Sequence, residues 1–359
     1  MDTILPAYCR YKNPQVRALV WSLISPGLVT ESGDYPACVS QQWCQQSYEK
    51  IRPFLDQLDT DPAQLTQWLE RYKSWRLGIR FEAYWAFILE QLQNQSELLR
   101  YTSHIQILDQ GTLNPFKKTL GEMDFVYLDN NKQLNHLEIA VKFYLLKPDE
   151  FGFERLIGPN GGDWYERKLE HLFKKQLLLS NTQDAKARLV QQFALQDEKF
   201  HCQQQGIIKG MIFFPLTGER GGEGILNDNE TKLINANCLT GTWGTIDTWY
   251  LSDPGELGRW VMLEKLNWLV PQVYSTLHEH LYTAKEMAYK LKIHFHNTRR
   301  SVLIARLEYD EQQKLWLEQQ RVMVVDKYWP SFKRSSRAAN KVTETKAQAI
   351  ETHVSKQSR

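Results

Sequence analysis

Three charged residues interrupt two apolar runs in the stretch GEMDFVYLDNNKQLNHLEIAVKFYL, residues Gly121 to Leu145: Asp124 in the first run, Glu138 and Lys142 in the second. Two carboxylates beside an ammonium are groups that can hold a hard cation and place a positive charge against a phosphoryl transition state. Buried and unpaired they would cost free energy, so they pair with one another, meet solvent in a cleft, or bind a cation. A salt bridge on a half-exposed strand is the simplest of these readings.

The elements that carry the three charges can be read from pattern. Met123 to Leu128 and Leu137 to Leu145 are β-branched and aromatic, and DNNKQ between them is turn chemistry, which predicts a hairpin. On its second strand His136, Glu138, Ala140 and Lys142 share one face, while Leu137, Ile139, Val141 and Phe143 share a core face. Upstream, Leu77, Phe81, Tyr84, Trp85, Ile88 and Leu92 recur at helical spacing, with Glu82 beside the stripe. HIQILDQ reads as a short strand. Downstream, the loop around IGPNGGDW leads to a helix over DWYERKLEHLFKKQLLLS, with Asp163 expected as its cap, carrying Lys168, His171, Lys175 and Gln176. GIIKGMIFFPL reads as the closing strand. Helix, three strands, helix, strand predicts a mixed sheet with a helix on each side.

Outside this unit, NPQVRALVWSLISP and DPAQLTQWLERYKSW read as helices, the second capped by Asp61 with Pro62 at its first position. Past Leu216, TWGTIDTWYL reads as a strand, GELGRWVMLEKLNWLVP as helix or strand, and SVLIARLEYDEQQKLWLEQQRVMVVDKYWP as strand, turn, strand. The expected organisation is a helical cap over 1–75, a core over 76–216, an α+β extension over 217–330 and a disordered basic tail over 331–359.

The whole chain sets bounds on function. With 359 residues, 42% of them hydrophobic, 12% aromatic and twelve of them Trp, it can bury a large core in one elaborated domain or two. The formal charge is +2, and the tail holds seven Lys or Arg against two Glu, so the body is slightly acidic and any basic groove must be local. Five cysteines, odd in number and without paired C-x-x-C spacing, argue against a disulfide framework or zinc ribbon and suit a reducing cytoplasm. The start lacks a basic region followed by an apolar core, and no run of ~18 apolar residues occurs, so a cytoplasmic protein with no membrane partner is expected. Phosphate-loop, dinucleotide, nucleophile-elbow and H-E-x-x-H motifs are all missing, which disfavours metabolic enzymes built on them.

Glu82 on a helix, Asp124, Glu138 and Lys142 on strands and Gln176 on the next helix form a pattern that resembles the PD-(D/E)XK phosphodiesterases, the superfamily of restriction endonucleases and many repair nucleases. More narrowly, LGIRFEAYWAFIL, GEMDFVYL, HLEIAVKFYL, IGPN and RKLEHLFKKQLLLS resemble the bacterial family known as domain of unknown function eighteen fifty-three, over most of the chain. The resemblance implies an α+β fold: a restriction endonuclease-like core, in which helices flank a mixed sheet, with a helical N-terminal cap and an α+β C-terminal extension. It implies a nuclease acting on nucleic acid, DNA being the expected form. Asp124, Glu138 and the main-chain carbonyl of Ile139 would ligate Mg²⁺, for which Mn²⁺ would substitute. Lys142 would hold the attacking hydroxide or stabilise the transition state. Glu82 would serve the metal's outer shell or a second metal, and Gln176 would orient water or phosphate. One position departs from the superfamily's E-x-K spelling: Ala140 stands where the Lys is usual, and Lys142 lies roughly 6.5 to 7 Å further along the strand. A nucleic-acid-binding or interaction module that has lost turnover is therefore the alternative. His136 and His171 are read as hydrogen-bonded spectators, and the Trp243 to Trp249 and Trp260 to Trp268 stretches as core. Substrate form and oligomeric state stay open.

Overall fold

The computed structural model describes residues 6–29, 37–109, 118–148, 154–196, 200–216, 234–252, 258–276 and 280–330; the expected disordered tail lies outside them. Its first part is helical, with α1 (Pro14–Ile24), α2 (Gln41–Thr60) and α3 (Ala63–Glu70). Asn13 opens α1 by accepting from the amides of Gln15 and Val16, and Ser40 opens α2 by accepting from that of Trp43. Regular α3 begins one residue later than the pattern places it. Asp61 accepts from the Ala63 amide at 3.2 Å, an Asx turn that holds Pro62 just outside the helix. Helix α4 (Leu77–Asn94) buries Phe81 and every residue from Ala83 to Leu89. It is apolar nearly all round because it runs between the cap and the sheet.

The strands are β1 (Leu98–Leu108), β2 (Thr119–Asp129), β3 (Leu134–Pro148), β4 (Glu154–Ile157), β5 (Cys202–Pro215), β6 (Leu239–Gly244), β7 (Arg259–Leu263), β8 (Val273–Tyr274), β9 (Val302–Asp310) and β10 (Leu315–Val324). Between them lie α5 (Tyr165–His171), α6 (Gln183–Phe193), α7 (Ile246–Ser252) and α8 (Ala284–Asn297). Among the described residues, the ten strands belong to one sheet of order β1-β2-β3-β5-β6-β10-β9-β7, with β4 beside β3 and β8 beside β10. The centre, β3-β5-β6-β10, is parallel; the strands flanking it on either side pair antiparallel. The fold is α+β, and the segments past residue 216 extend the sheet of the preceding unit.

Burial on both faces explains the long apolar run of β3. Leu137, Ile139, Phe143 and Leu145 pack with residues of α1, α2 and α4, while Ala140, Tyr144 and Leu146 pack with Tyr165, Leu169 and Leu172. Trp249, Trp260 and Met287 form a separate cluster over the far end of the sheet, and Trp268 is buried too, as the aromatic spacing suggested. Buried cations tie the cap to the sheet. Lys209 of β5 donates to the carbonyls of Leu23 and Ser25 at the C-terminal end of α1, where the helix dipole favours positive charge. Arg17 of α1 donates to the carbonyls of Tyr11, Lys12 and Pro271.

Local readings need three adjustments. Strand β1 begins at Leu98, well before HIQILDQ, because as an edge strand it exposes polar residues that blur the alternation. TWGTIDTWYL divides into the end of β6 and helix α7, and the ambiguous segment after Gly258 is strand β7 followed by a 3-10 turn. No helix among the described residues is long and apolar enough to cross a membrane.

Candidate functional site

The β2–β3 ladder runs from Leu128–Leu134 only as far as Phe125–Leu137. Past that pair the strands part, and side chains take over from the backbone. Asp124 Oδ2 accepts from the Ile139 amide at 3.0 Å, and the Asp124 amide donates to Glu138 Oε1 at 3.2 Å. The two carboxylates thus bridge a fork, each bound to the other's strand.

Glu138 is fully buried, and three groups hold it. Besides the Asp124 amide, His136 Nε2 lies 2.9 Å from Oε1, and Gln176 Nε2 donates to Oε2 at 2.7 Å. His136 therefore belongs to the site rather than to its surroundings. The alternation that put His136 and Glu138 on one face already held the signal. With Nε2 donating to the carboxylate, the buried Nδ1 of His136 is left without a partner among the described residues.

Asp124 is only partly exposed. Burial and the neighbouring Glu138 push its carboxyl up to about 8, although the hydrogen bond from the Ile139 amide opposes the change. Glu82 reaches the same field from α4. Its pKa is raised by burial, with Glu122 and Glu138 adding to the rise and His104 and Lys168 opposing it. The ladder pairs Ser103 with Phe125 and Ile105 with Met123, which sets His104 across from Asp124. His104 holds a left-handed φ of 53° in mid-strand, and its Nδ1 is 3.1 Å from Glu122 Oε1. The pattern of charges had not singled out His104 or Glu122.

Gln176 owes its place to an irregular helix. Helix α5 stops at His171, widens into a π turn over Leu172–Gln176, then tightens into a 3-10 helix over Leu177–Asn181, where one continuous helix was expected. The segment lies hard against β5 at Gly206, where a Cβ would come within 2.9 Å of both Leu172 and Phe173. While its amide donates to Glu138, the Gln176 Oε1 accepts from Lys168 Nζ at 3.3 Å and lies 2.8 Å from His171 Nδ1. One side chain thereby links the buried carboxylate to a lysine.

That lysine is not Lys142. The Lys142 ammonium donates to Asp163 Oδ2 at 2.6 Å. Asp163 in turn does not cap α5, which starts behind Trp164 with no side-chain cap: a charged partner outcompetes a helix-end amide. Lys168 is the cation whose field reaches Asp124, Glu138 and Asp163. Its pKa is lowered by burial first and by Lys142 second, with the three carboxylates opposing. Ala140 packs in one cluster with Leu169 and Leu172, so a small residue at the expected lysine position lets α5 come close. Lys168 lies eight residues before Gln176, on the same helical face, and this spacing was the available signal.

Oxygen donors for a metal are present in Asp124, Glu138 and Glu82. Among the described residues no three His, Cys, Asp or Glu side chains are grouped as a ligand set in this arrangement, and the Ile139 group seen in contact with Asp124 is its amide. The chemistry of the donors nonetheless suits a hard divalent cation: neighbouring carboxylates that resist ionising together are relieved when one arrives.

The chain belongs to the family described as domain of unknown function (DUF1853), whose profile matches residues 17–325. No curated protein and no solved structure matches it.

Proposed function

We propose that the protein is a divalent-metal-dependent phosphodiesterase acting on nucleic acid, with DNA as the expected substrate, and that α4, β1 to β3, α5 and β5 form a PD-(D/E)XK-type, restriction endonuclease-like core. The observation that carries this reading is the fork at Asp124 and Glu138, two mutually repelling carboxylates with Lys168 in their field. Asp124, Glu138 and the Ile139 carbonyl would hold Mg²⁺ or Mn²⁺, with Glu82 in its outer shell. The bound ion would neutralise charge on the scissile phosphate and acidify a water. The chain's own residues supply orientation and charge. His136 and Gln176 fix the Glu138 carboxylate, and Gln176 also holds Lys168 toward it. Lys168 places its positive charge where a phosphoryl transition state gathers negative charge. The lysine role thus passes from Lys142 to Lys168, while Lys142 and Asp163 form an ion pair at the rim. A cytoplasmic location suits the five cysteines, none of which is joined in a disulfide among the described residues.

A module that binds without turnover is the second reading, favoured by the engagement of both fork carboxylates with backbone amides. Cleavage assays separate the two. Single-stranded, duplex and branched DNA and RNA are incubated with Mg²⁺ or Mn²⁺ and wild type, Glu138→Ala, Lys168→Ala or Lys142→Ala. Cleavage by the wild type is expected, lost in Glu138→Ala and reduced roughly 10² to 10³-fold in Lys168→Ala, the usual worth of one charge-stabilising group. No cleavage of any form would leave the binding module.

A further inference from the structure

Two cavities adjoin near the part of β3 that carries Lys142, four residues along the strand from Glu138 of the fork. One, of about 830 Å³, lies among β7, the turn after it and α8; the other, of about 310 Å³, lies among the start of α4, β3 and the loop after β4. Trp75, Asn160, Lys265 and Trp268 line both, so the two volumes make one trough. Lys142 and Asp163 line its inner end, and Lys142 there acts on Lys168 of the carboxylate site. Gly78 lines the same end, and Glu82 follows four residues, about 6 Å, along α4.

The trough is basic in a body that is slightly acidic. Among the described residues, Arg76, Lys142, Lys265, Lys290 and Arg300 line it against two acids, Asp163 and Glu264, and Asp163 is already paired with Lys142. Lys265 has its pKa lowered by burial and then by Arg300, which lines the same cavity. Two cations held together in this way favour an anion between them. The trough is also aromatic. Lys265 Nζ lies over the buried Trp268 ring, 5.1 Å from its centroid, and Lys290 Nζ is 4.3 Å from that of Tyr282. Trp75, in contrast, is 66% exposed where the two cavities meet. An indole left in solvent beside a row of cations can stack an unpaired base while the cations meet the backbone.

We propose that this trough binds a single strand of nucleic acid, with a base stacked on Trp75 and phosphates at Lys265 and Arg300, and leads it to the fork at Asp124 and Glu138. The delivery step rests on the phosphodiesterase reading; the binding step stands apart from it. A duplex hides the faces of its bases from Trp75, so a single strand is the form the trough selects.

The test is fluorescence anisotropy of the full chain with a labelled twelve-nucleotide strand, its duplex and a mononucleotide, in EDTA to prevent cleavage. The strand is expected to bind about tenfold or more tighter than the duplex. Trp75→Ala, an exposed position that leaves the melting temperature unchanged, should weaken the strand roughly 5- to 150-fold, and Trp75→Phe should restore most of the loss. Lys265→Gln and Arg300→Gln should each reduce the slope of log affinity against log salt by about 0.7, one phosphate contact on a single strand. Equal or tighter duplex binding, unchanged binding by Trp75→Ala, or a mononucleotide that binds as tightly as the strand would overturn the proposal. The fork reading is judged separately. Strand binding as described without cleavage in Mg²⁺ or Mn²⁺ defeats the phosphodiesterase and leaves the trough, whereas metal-dependent cleavage with a preference for duplex binding does the reverse.

Discussion

Asp124→Asn tests the fork without any substrate. Folding moves the Asp124 carboxyl from 3.8 to about 8, so across that interval the folded chain keeps a proton that the unfolded chain has released. The stability this group contributes is therefore fully present below about pH 4 and is lost as pH rises through about 8. At ~1.4 kcal/mol for each tenfold, the interval corresponds to ~6 kcal/mol. Sharing of the proton with Glu138, and entry of water at a partly exposed site, should reduce the observed loss to ~2–3 kcal/mol. Asn keeps an oxygen to accept from the Ile139 amide but cannot ionise, so this part of the pH dependence should vanish. Urea unfolding followed by far-UV circular dichroism at pH 5, 6.5 and 8 measures it. The variant should gain ~2–3 kcal/mol on the wild type between pH 5 and pH 8. Mg²⁺ at pH 8 should raise the wild type's stability by up to ~2.7 kcal/mol at a hundredfold excess over Kd, and should leave the variant unchanged. If the variant's stability falls with pH as steeply as the wild type's, the raised carboxyl is not the source. If it is lower than wild type by the same amount at each pH and Mg²⁺ stabilises neither, Asp124 is a structural tie between strands.

Three further outcomes follow from the same geometry. Lys168→Ala and Lys142→Ala should part in a cleavage assay: the first loses roughly 10² to 10³-fold in rate, while the second, which removes the partner of Asp163, changes it by less than about tenfold; the reverse order would return the chemistry to Lys142. Gly210→Ala should destabilise by at least ~3 kcal/mol in urea unfolding, because Gly210 holds a φ of 143° and a Cβ there would overlap the Lys142 carbonyl; a loss below ~1 kcal/mol would show that β5 can shift. Lys209→Met should cost about 2–4 kcal/mol, since the carbonyls of Leu23 and Ser25 lose their buried donor, and a melting temperature equal to the wild type's would exclude that tie.

The α+β class and the element order around the site were legible because their signals are local. Period-two alternation marked β3, a three-four stripe marked α4, and the order of helices and strands pointed to a mixed sheet. The joining of both halves into one sheet was not legible. It depends on parallel pairing of β5 with β6 and of β6 with β10, strands that lie far apart in the chain and that no turn connects directly. Trp75 carries no local signal for a related reason. Trp249, Trp260 and Trp268 are buried and Trp243 packs partly buried against the core, while the exposed Trp75 is a single residue in the polar segment before α4. Its meaning comes from Lys265 and Arg300, which lie about 200 residues further on.

The two lysines show where reading of the local sequence stops. Alternation correctly puts Lys142 on the face of β3 that carries Glu138, but a shared face does not decide which carboxylate a flexible side chain meets. Lys142 meets Asp163, which arrives in the loop before α5, while Glu138 gains its lysine through Gln176 from the helix beyond. Both outcomes depend on how closely α5 approaches the sheet. Ala140 and Gly206, on adjacent strands, are the small residues that permit the approach, and the π turn that follows aims Gln176 inward. A longer side chain at Ala140 would therefore act on the site through the helix. Ala140→Leu, overpacking Leu169 and Leu172, should cost about 1–3 kcal/mol in unfolding and, by moving Lys168 from Gln176, should lower any cleavage rate as far as Lys168→Ala does. Lost stability with an unchanged rate would mean that Lys168 acts from a position the helix does not control.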